Sequence, residues 1–477
     1  MGMIILSWLG FLILTILALG AAGHALLRKS DSRSALGWVA VCLMFPLAGP
    51  LLYILFGVNR VRRSASRMRR EINLLPGHDN QPPLTPSATI SPTVLHRSFR
   101  QLETVGRNVL GTPLVGGNCV EPLFNGDEAY PLMLQAIYQA TRSVYLATYI
   151  LDTDKLGLQF IDALSQAVNR GVEVRVLVDG LGEKYSWPLA SRLLRKKGVP
   201  TALFIPPKLF PPELHVNLRN HRKILVVDGS LAFTGGMNIS QKHILDAKPV
   251  WPITDMHFIL RGPIVDQLQE TFVDDWLFAT KERITLPTTD TEPTGDCLCR
   301  SVIDGPDQTH EPLKTLLTGV VSAARTSIRI MTPYFLPPRS LLFALKSARY
   351  RGVTVEIILP GRNNLPFVHW ATQHILDDLL RAGVRVVYQP APFAHTKLLL
   401  IDDCYVHLGS ANLDCRSLRL NFELTLEVLD QQLSDTLTRH FDTIMAASRP
   451  ATRRALQSRS LPTRLRDAFF WLFTPYL

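Results

Sequence analysis

Of 477 residues, 51 are lysine or arginine and 40 are aspartate or glutamate, giving a formal net charge of +11. That length exceeds one ordinary domain and can bury two sizeable cores, while the basic surplus suits an anionic partner, nucleic acid or an acidic membrane surface. Six scattered cysteines without a CxxC pair exclude a disulfide framework and a thiolate zinc site, and read as reduced thiols.

The N-terminus narrows the partner. No charged residue occurs from Met1 to Leu27, and a second uncharged run extends from Ser34 to Asn59. Each exceeds the roughly 20 residues that cross a bilayer core, so a helical hairpin is expected with spans at about 4–26 and 35–57. A cleaved signal peptide fits poorly, because no basic residue precedes the apolar run and a second run follows at once. Pro46 and Pro50 can kink the second segment, which leaves a re-entrant form open. Trp8, Trp38 and Tyr53 suit interfacial anchoring. The turn holds Arg28, Lys29 and Arg33, whereas the exit "NRVRRSASRMRR" holds Arg60, Arg62, Arg63, Arg67, Arg69 and Arg70. The larger cluster favours the cytoplasmic side, together with the bulk of the chain, and suits an anionic leaflet.

Residues 72–93 are proline-rich and lack a hydrophobic period, as in a linker. Two similar halves follow. "ATRSVYLATYIL…QAVNRGVEVRVLVDG" (140–180) and "AARTSIRIMTPYFL…SARYRGVTVEIILPG" (323–361) share one plan. Each reads as a strand, a loop with Tyr149 or Tyr334, an amphipathic helix, Arg-Gly-Val and a β-branched strand. The glycines after Arg170 and Arg351 predict left-handed helix caps. The expected fold class is therefore α/β, with two pseudo-symmetric halves, each a mixed β-sheet flanked by helices, behind the membrane hairpin. The boundaries are 1–71 for the hairpin and its basic exit, 72–98 for the linker, 99–287 and 288–477 for the halves, with "TTDTEPTGD" at the seam. The tail "FFWLF" (469–473) is too short to span and suits the membrane surface or burial against the core.

Each half repeats one polar motif on an apolar strand. "NHRKILVVDG" carries His221, Lys223 and Asp228, and "AHTKLLLIDD" carries His395, Lys397 and Asp402. The spacing H-x-K-x4-D is common to both, and the small pairs Gly235-Gly236 and Gly409-Ser410 are followed by Asn238 and Asn412. Residues two apart on a strand share a face, so His and Lys project together. One such motif is a weak signal; its duplication in order and spacing marks a site at the junction between the halves.

The set suits displacement at a phosphodiester. Two lysines and two asparagines can hold the nonbridging oxygens, one imidazole can attack phosphorus, and the other can serve the leaving and incoming alcohols. Each imidazole needs its far nitrogen anchored, and Asp255 and Glu423 are the candidate carboxylates. Asp228 and Asp402 are counted in the motif's catalytic set, although their position favours capping the turns after their strands. A metal site is rejected, because an ammonium group two residues from each histidine would repel a cation. No cofactor is expected.

The paired motifs, with "MTPYFLP" (331–337) and "GSANLDCRSLRLNFE" (409–423), resemble the HKD motifs of the phospholipase D superfamily. Their union with two N-terminal apolar segments and a tail "RLRDAFFWLFTPYL" (464–477) is similar to bacterial cardiolipin synthases. The resemblance implies two phospholipase D-like halves in a multi-pass protein of the bacterial inner membrane. It implies phosphatidylglycerol as substrate and other anionic membrane lipids as neighbours. Two phosphatidylglycerol molecules would give cardiolipin and glycerol through a phosphohistidine, with His221 as nucleophile and His395 as general acid and base; sequence symmetry leaves the reverse assignment open. The same motifs also serve lipid hydrolases, other phosphatidyltransferases and endonucleases. The apolar N-terminal segments argue for lipid and against nucleic acid.

Overall fold

The computed structural model describes residues 2–29, 31–58, 97–207, 218–286, 292–306 and 311–475. The basic exit, the proline-rich linker and the first part of the seam lie outside them. The chain divides into two compact units, residues 1–64 and 65–477.

In the first unit, one helix is long and apolar enough to cross a membrane, Ile5–Arg28, with a mean hydropathy of 2.3. The second apolar run does not continue as one helix. Asp31 Oδ1 accepts from Ser34 N at 2.7 Å and starts helix Ser32–Met44, which stops at Phe45. Phe45 precedes Pro46 and takes φ −127°, ψ 78°, because the proline ring crowds a helical residue before it. A short helix, Ala48–Leu52, and a π-turn, Tyr53–Gly57, complete the run. The run expected at about 35–57 thus forms two short apolar helices, Ser32–Met44 and Ala48–Gly57, with the break at Pro46, one of the two prolines expected to kink it. His24 Nδ1 and Tyr53 Oη meet at 2.8 Å within this unit.

The second unit is built on one continuous 15-stranded sheet. Its middle is an antiparallel contact between Val115–Phe124 and Cys297–Asp304, irregular between Val115 and Asn118. Outward from the first of these run Met256–Arg261, Leu231–Gly235, Ile224–Val227, Ser143–Thr148, Glu173–Asp179 and Thr201–Phe204. Outward from the second run Glu423–Leu429, Tyr405–Gly409, Leu398–Ile401, Ser327–Met331, Thr354–Pro360 and Arg385–Gln389, with Arg449–Pro450 added at the edge. The two series match strand for strand, including the antiparallel strand that carries each motif beside the first parallel one. The two expected sheets are therefore halves of one.

Hydrophobic periodicity explains the layers. Leu156, Phe160, Ile161 and Leu164 face inward from helix Lys155–Asn169, onto a core with Val176, Leu225 and Phe233. Leu341, Leu345 and Ala348 do the same from Arg339–Tyr350, onto Ile328, Ile357 and Leu399. Gly171 and Gly352 follow these helices with φ of +86° and +95°, conformations that cost a side-chain-bearing residue free energy. Helix Arg97–Leu110 opens the first half in sequence but packs on the second. Its Leu102 and Val105 join the core formed by Leu313, Leu317 and Val320.

Candidate active site

Both H-x-K segments enter their strands through a bridge to the opposite half. His221 N donates to Phe422 O at 2.9 Å, and Phe422 N donates to Arg219 O at 2.8 Å. Phe393 and Ala394 pair in parallel with Ile253 and Thr254, and His395 N donates to Thr254 O at 2.8 Å. The residue that follows each bridge is a carboxylate. Each histidine thus meets the carboxylate of the other half. His221 Nδ1 donates to Glu423 Oε2 at 3.0 Å, and His395 Nδ1 donates to Asp255 Oδ2 at 2.6 Å. Both imidazole side chains are 13% exposed and both carboxylates are sealed. A carboxylate at Nδ1 fixes the tautomer and points Nε2 away from it.

The lysines fold back on their own motifs. Lys223 Nζ donates to His221 O at 2.7 Å, and Lys397 Nζ donates to His395 O at 2.5 Å while lying 3.1 Å from His395 Nε2. Burial lowers Lys223 to about 7 and Lys397 to about 8, against the carboxylates that favour their charge. Burial likewise lowers His221 despite Glu423, and lowers His395 to about 3, with Lys397 adding to the effect. Burial would raise Asp255, but Lys397 and His395 outweigh it and hold the carboxyl at about 2. Glu423 is also held below its ordinary range, because His221 and Lys223 overcome its burial. The resting arrangement is two neutral imidazoles on two anionic carboxylates.

Supporting groups differ between the halves. Ser410 Oγ donates to Glu423 Oε2. At the matching position, a Cβ on Gly236 would collide with Asp255 Oδ1, so the shorter carboxylate requires glycine there. Asn238 Oδ1 accepts from Ile150 N at 3.3 Å, and Asn412 Oδ1 is buried without a hydrogen-bond partner. Asn238 and Asn412 each precede a residue bridged to the segment that follows Ser143–Thr148 or Ser327–Met331 in their half.

Asp228 and Asp402 stand apart from this cluster, at the far ends of the motif strands, in the turn-capping position that their place in the motif favours. The Asp228 carboxylate accepts from the backbone N–H groups of Thr141, Arg142 and Ser143 and from Thr141 Oγ1. The Asp402 carboxylate accepts the equivalent set from Arg325, Thr326 and Ser327. Both have φ of +54°. Burial would raise the Asp228 carboxyl, but the three N–H donors hold it below its usual range. These carboxylates fasten turns.

Spacing alone does not reveal several residues of the site. Arg222 binds Asp275 and donates from Nε to Glu423 O at 3.1 Å, and Asp179 accepts from Asn220 N at 2.9 Å and pairs with Arg219. These buried pairs clamp the strand entrance on both sides of His221. Tyr149 turns its ring edge to His221 with 5.3 Å between centroids, and Lys223 Nζ lies 5.7 Å from the Tyr149 ring centre. His243 is buried beside His395, at 6.5 Å between ring centroids, and burial lowers it to about 4. Tyr149 and Asp179 lie within the first repeated segment and Arg219 and Arg222 flank His221, whereas His243 and Asp275 carry no such sequence signal. Among the described residues, no group of three or more His, Cys, Asp or Glu side chains is placed to hold a metal ion.

A crossed pair of histidine–carboxylate contacts with two ammonium groups can bind an anionic diester and offer it a nucleophile and a proton carrier. The family model described as "Cardiolipin synthase, PLD-like domain" matches residues 133–276 and 317–445, which together span both motifs. The chain belongs to the cardiolipin synthase family of phospholipase D-like proteins. A second model, "Phospholipase_D-nuclease N-terminal", matches residues 16–57. The cardiolipin synthase of Oceanobacillus iheyensis is 31% identical over 469 residues, 94% of this chain and 95% of that one. Cardiolipin synthase A of Pseudomonas fluorescens is 33% identical over 92% of both chains, and the major cardiolipin synthase ClsA of Bacillus subtilis is 32% identical over 94% and 95%. Among solved structures, the phosphatidylserine synthase of Haemophilus influenzae superposes with a TM-score of 0.63 at 16% identity, covering 79% of this chain and all of the other, a likeness of fold. Family membership makes the chain a phosphatidyltransferase of phospholipid biosynthesis.

Proposed function

We propose that this site joins two phosphatidylglycerol molecules into cardiolipin, releasing glycerol, by two in-line displacements at one phosphorus. In the first, His221 Nε2 attacks the donor phosphorus, the bond to the glycerol headgroup oxygen breaks, and His395, protonated as substrate enters, gives that oxygen its proton. In the second, the neutral His395 takes the proton of the terminal hydroxyl of a second phosphatidylglycerol. Its oxygen attacks phosphorus and the P–N bond breaks. Lys223, Lys397, Asn238 and Asn412 hold the nonbridging oxygens, Asp255 and Glu423 orient the imidazoles, and Gly236 and Ser410 support those carboxylates. The observation that carries this reading is the crossed contact of each motif histidine with the other half's carboxylate.

The organisation we infer is a hairpin over 1–71 with the second, proline-broken run re-entrant or spanning, a linker over 72–98, and catalytic halves over 99–287 and 288–477 on the cytoplasmic side of the bacterial inner membrane. The long apolar helix and the family's lipid chemistry support it.

The test is lipid analysis after incubating the purified protein with phosphatidylglycerol in mixed micelles. Cardiolipin and glycerol should appear in equal amounts; phosphatidic acid as the sole lipid product would replace transfer by hydrolysis. His221→Ala and His395→Ala should each lower turnover by at least about 10³-fold. A phosphatidyl adduct should be trapped on His395→Ala and be absent from His221→Ala; the opposite pattern would reverse the two roles.

A further inference from the structure

The C-terminal helix Leu461–Trp471 packs by one face and leaves the other uncovered. Leu461, Leu465, Phe469, Leu472 and Phe473 are 65%, 60%, 55%, 65% and 45% exposed. Their steps of four, four, three and one place them on a single stripe of the helix and its following turn. The opposite face is fastened. The Arg466 guanidinium lies 4.3 Å from the Trp370 ring centre, the Phe470 ring 5.0 Å from the same ring, and the Trp471 ring 4.7 Å from His374. Asp467, 1% exposed, pairs with Arg459 and Arg466. Rolling the helix to bury its apolar stripe would break this buried pair, so the fold holds the stripe outward.

The chain around the stripe is predominantly basic, although Arg453 pairs with Asp377 of the neighbouring helix and Arg459 and Arg466 pair with Asp467. From residue 448 onward the chain holds Arg449, Arg453, Arg454, Arg459, Arg464 and Arg466 against the single acid Asp467. Arg453, Arg454 and Arg464 are exposed. Such a face repels a second copy of itself and attracts a dense anionic surface. It is also tied to the site: Phe470 and Trp471 pack on a small core that Tyr334 joins, and Tyr334 stacks towards Phe393, the neighbour of His395.

We propose that this helix lies flat on an anionic lipid bilayer, its Leu–Phe stripe at the headgroup–acyl boundary and its arginines on the phosphates. It thereby docks the catalytic body on the surface where its lipid substrate resides. The docking itself stands apart from the transfer reaction, so the first test does not read activity. The full chain with Cys119→Ser and Leu465→Cys, labelled on the introduced thiol with an environment-sensitive fluorophore, is reconstituted in vesicles of about 25 mol% phosphatidylglycerol in phosphatidylcholine. Spin-labelled lipids should quench the probe there, and about threefold or more weakly in pure phosphatidylcholine or at 1 M salt, where the Debye length shrinks to about 3 Å. Absence of quenching, equal quenching in neutral bilayers, or cross-linking of position 465 between two copies would overturn the proposal. In a second test, Leu465→Asp with Phe469→Asp should lower turnover of bilayer phosphatidylglycerol by about tenfold. Turnover of a monomeric short-chain phosphatidylglycerol should stay within about twofold, and an equal loss on both substrates would assign the helix to folding instead.

Discussion

Lys223 and Lys397 sit where burial disfavours their charge, at about 7 and about 8. A phosphodiester entering between them would supply the missing anion and raise both. Binding of dimethyl phosphate near pH 8 should therefore take up protons, and near pH 6, where both lysines are already charged, it should take up almost none from them. Calorimetry in buffers of differing ionisation enthalpy measures the uptake; equal uptake at both pH values would contradict it. The lysines' contribution to stability has the opposite sign from their contribution to binding. The unfolded chain keeps these protons to a pKa near 10.5, so stability rises from the folded values up to that limit. As pH passes through 7 to 8, kcat/KM should fall while these lysines raise the thermal midpoint. The sequence marks both lysines through their repeat. It does not mark which carboxylate serves which imidazole, because that pairing depends on bridges between segments about 200 and 140 residues apart.

At the scale of elements, the motif strand is a lever fixed at both ends. Its entrance carries His and Lys, and its exit carries an aspartate in a left-handed turn, binding three N–H groups ahead of the neighbouring strand. Asp228→Ala strips those donors of their acceptor and leaves a poor residue at φ +54°. It should cost about 2–4 kcal/mol and lower the thermal midpoint, while turnover per folded molecule stays within about fivefold. Asp228→Asn should recover part of that loss, since asparagine tolerates the turn. A loss of turnover as large as that of His221→Ala, with the midpoint unchanged, would return Asp228 to the chemistry. Strand and helix periods were readable in the halves because local burial patterns set them. Two elements were readable only in part. The second apolar run reads as one span by hydropathy that its prolines can kink, and it is Pro46 that forces Phe45 out of the helix. Helix Arg97–Leu110 carries a legible apolar face, but nothing local specifies that the second half covers it.

Across the whole molecule, neither half contains a complete site. Each supplies one histidine with its lysine and one carboxylate for the other's histidine, and the central strands Val115–Phe124 and Cys297–Asp304 hold them together inside one chain. The buried Arg300–Glu427 pair adds to that closure: Arg300 Nη1 donates to Thr112 O at 2.9 Å, and the pair lies against Gly106, where a Cβ would collide with Arg300 Nη2. Exchange of halves between folded copies would first require undoing this seam and uncovering the core beneath helix Arg97–Leu110, a barrier far above the few kcal/mol of thermal reach. Both histidines of a working site therefore belong to the same chain. Co-reconstituting His221→Ala with His395→Ala in one vesicle should restore no activity above that of either variant alone. If the halves swapped between chains, some mixed pairs would regain one site with both histidines, and turnover approaching a quarter of the wild-type level would show it.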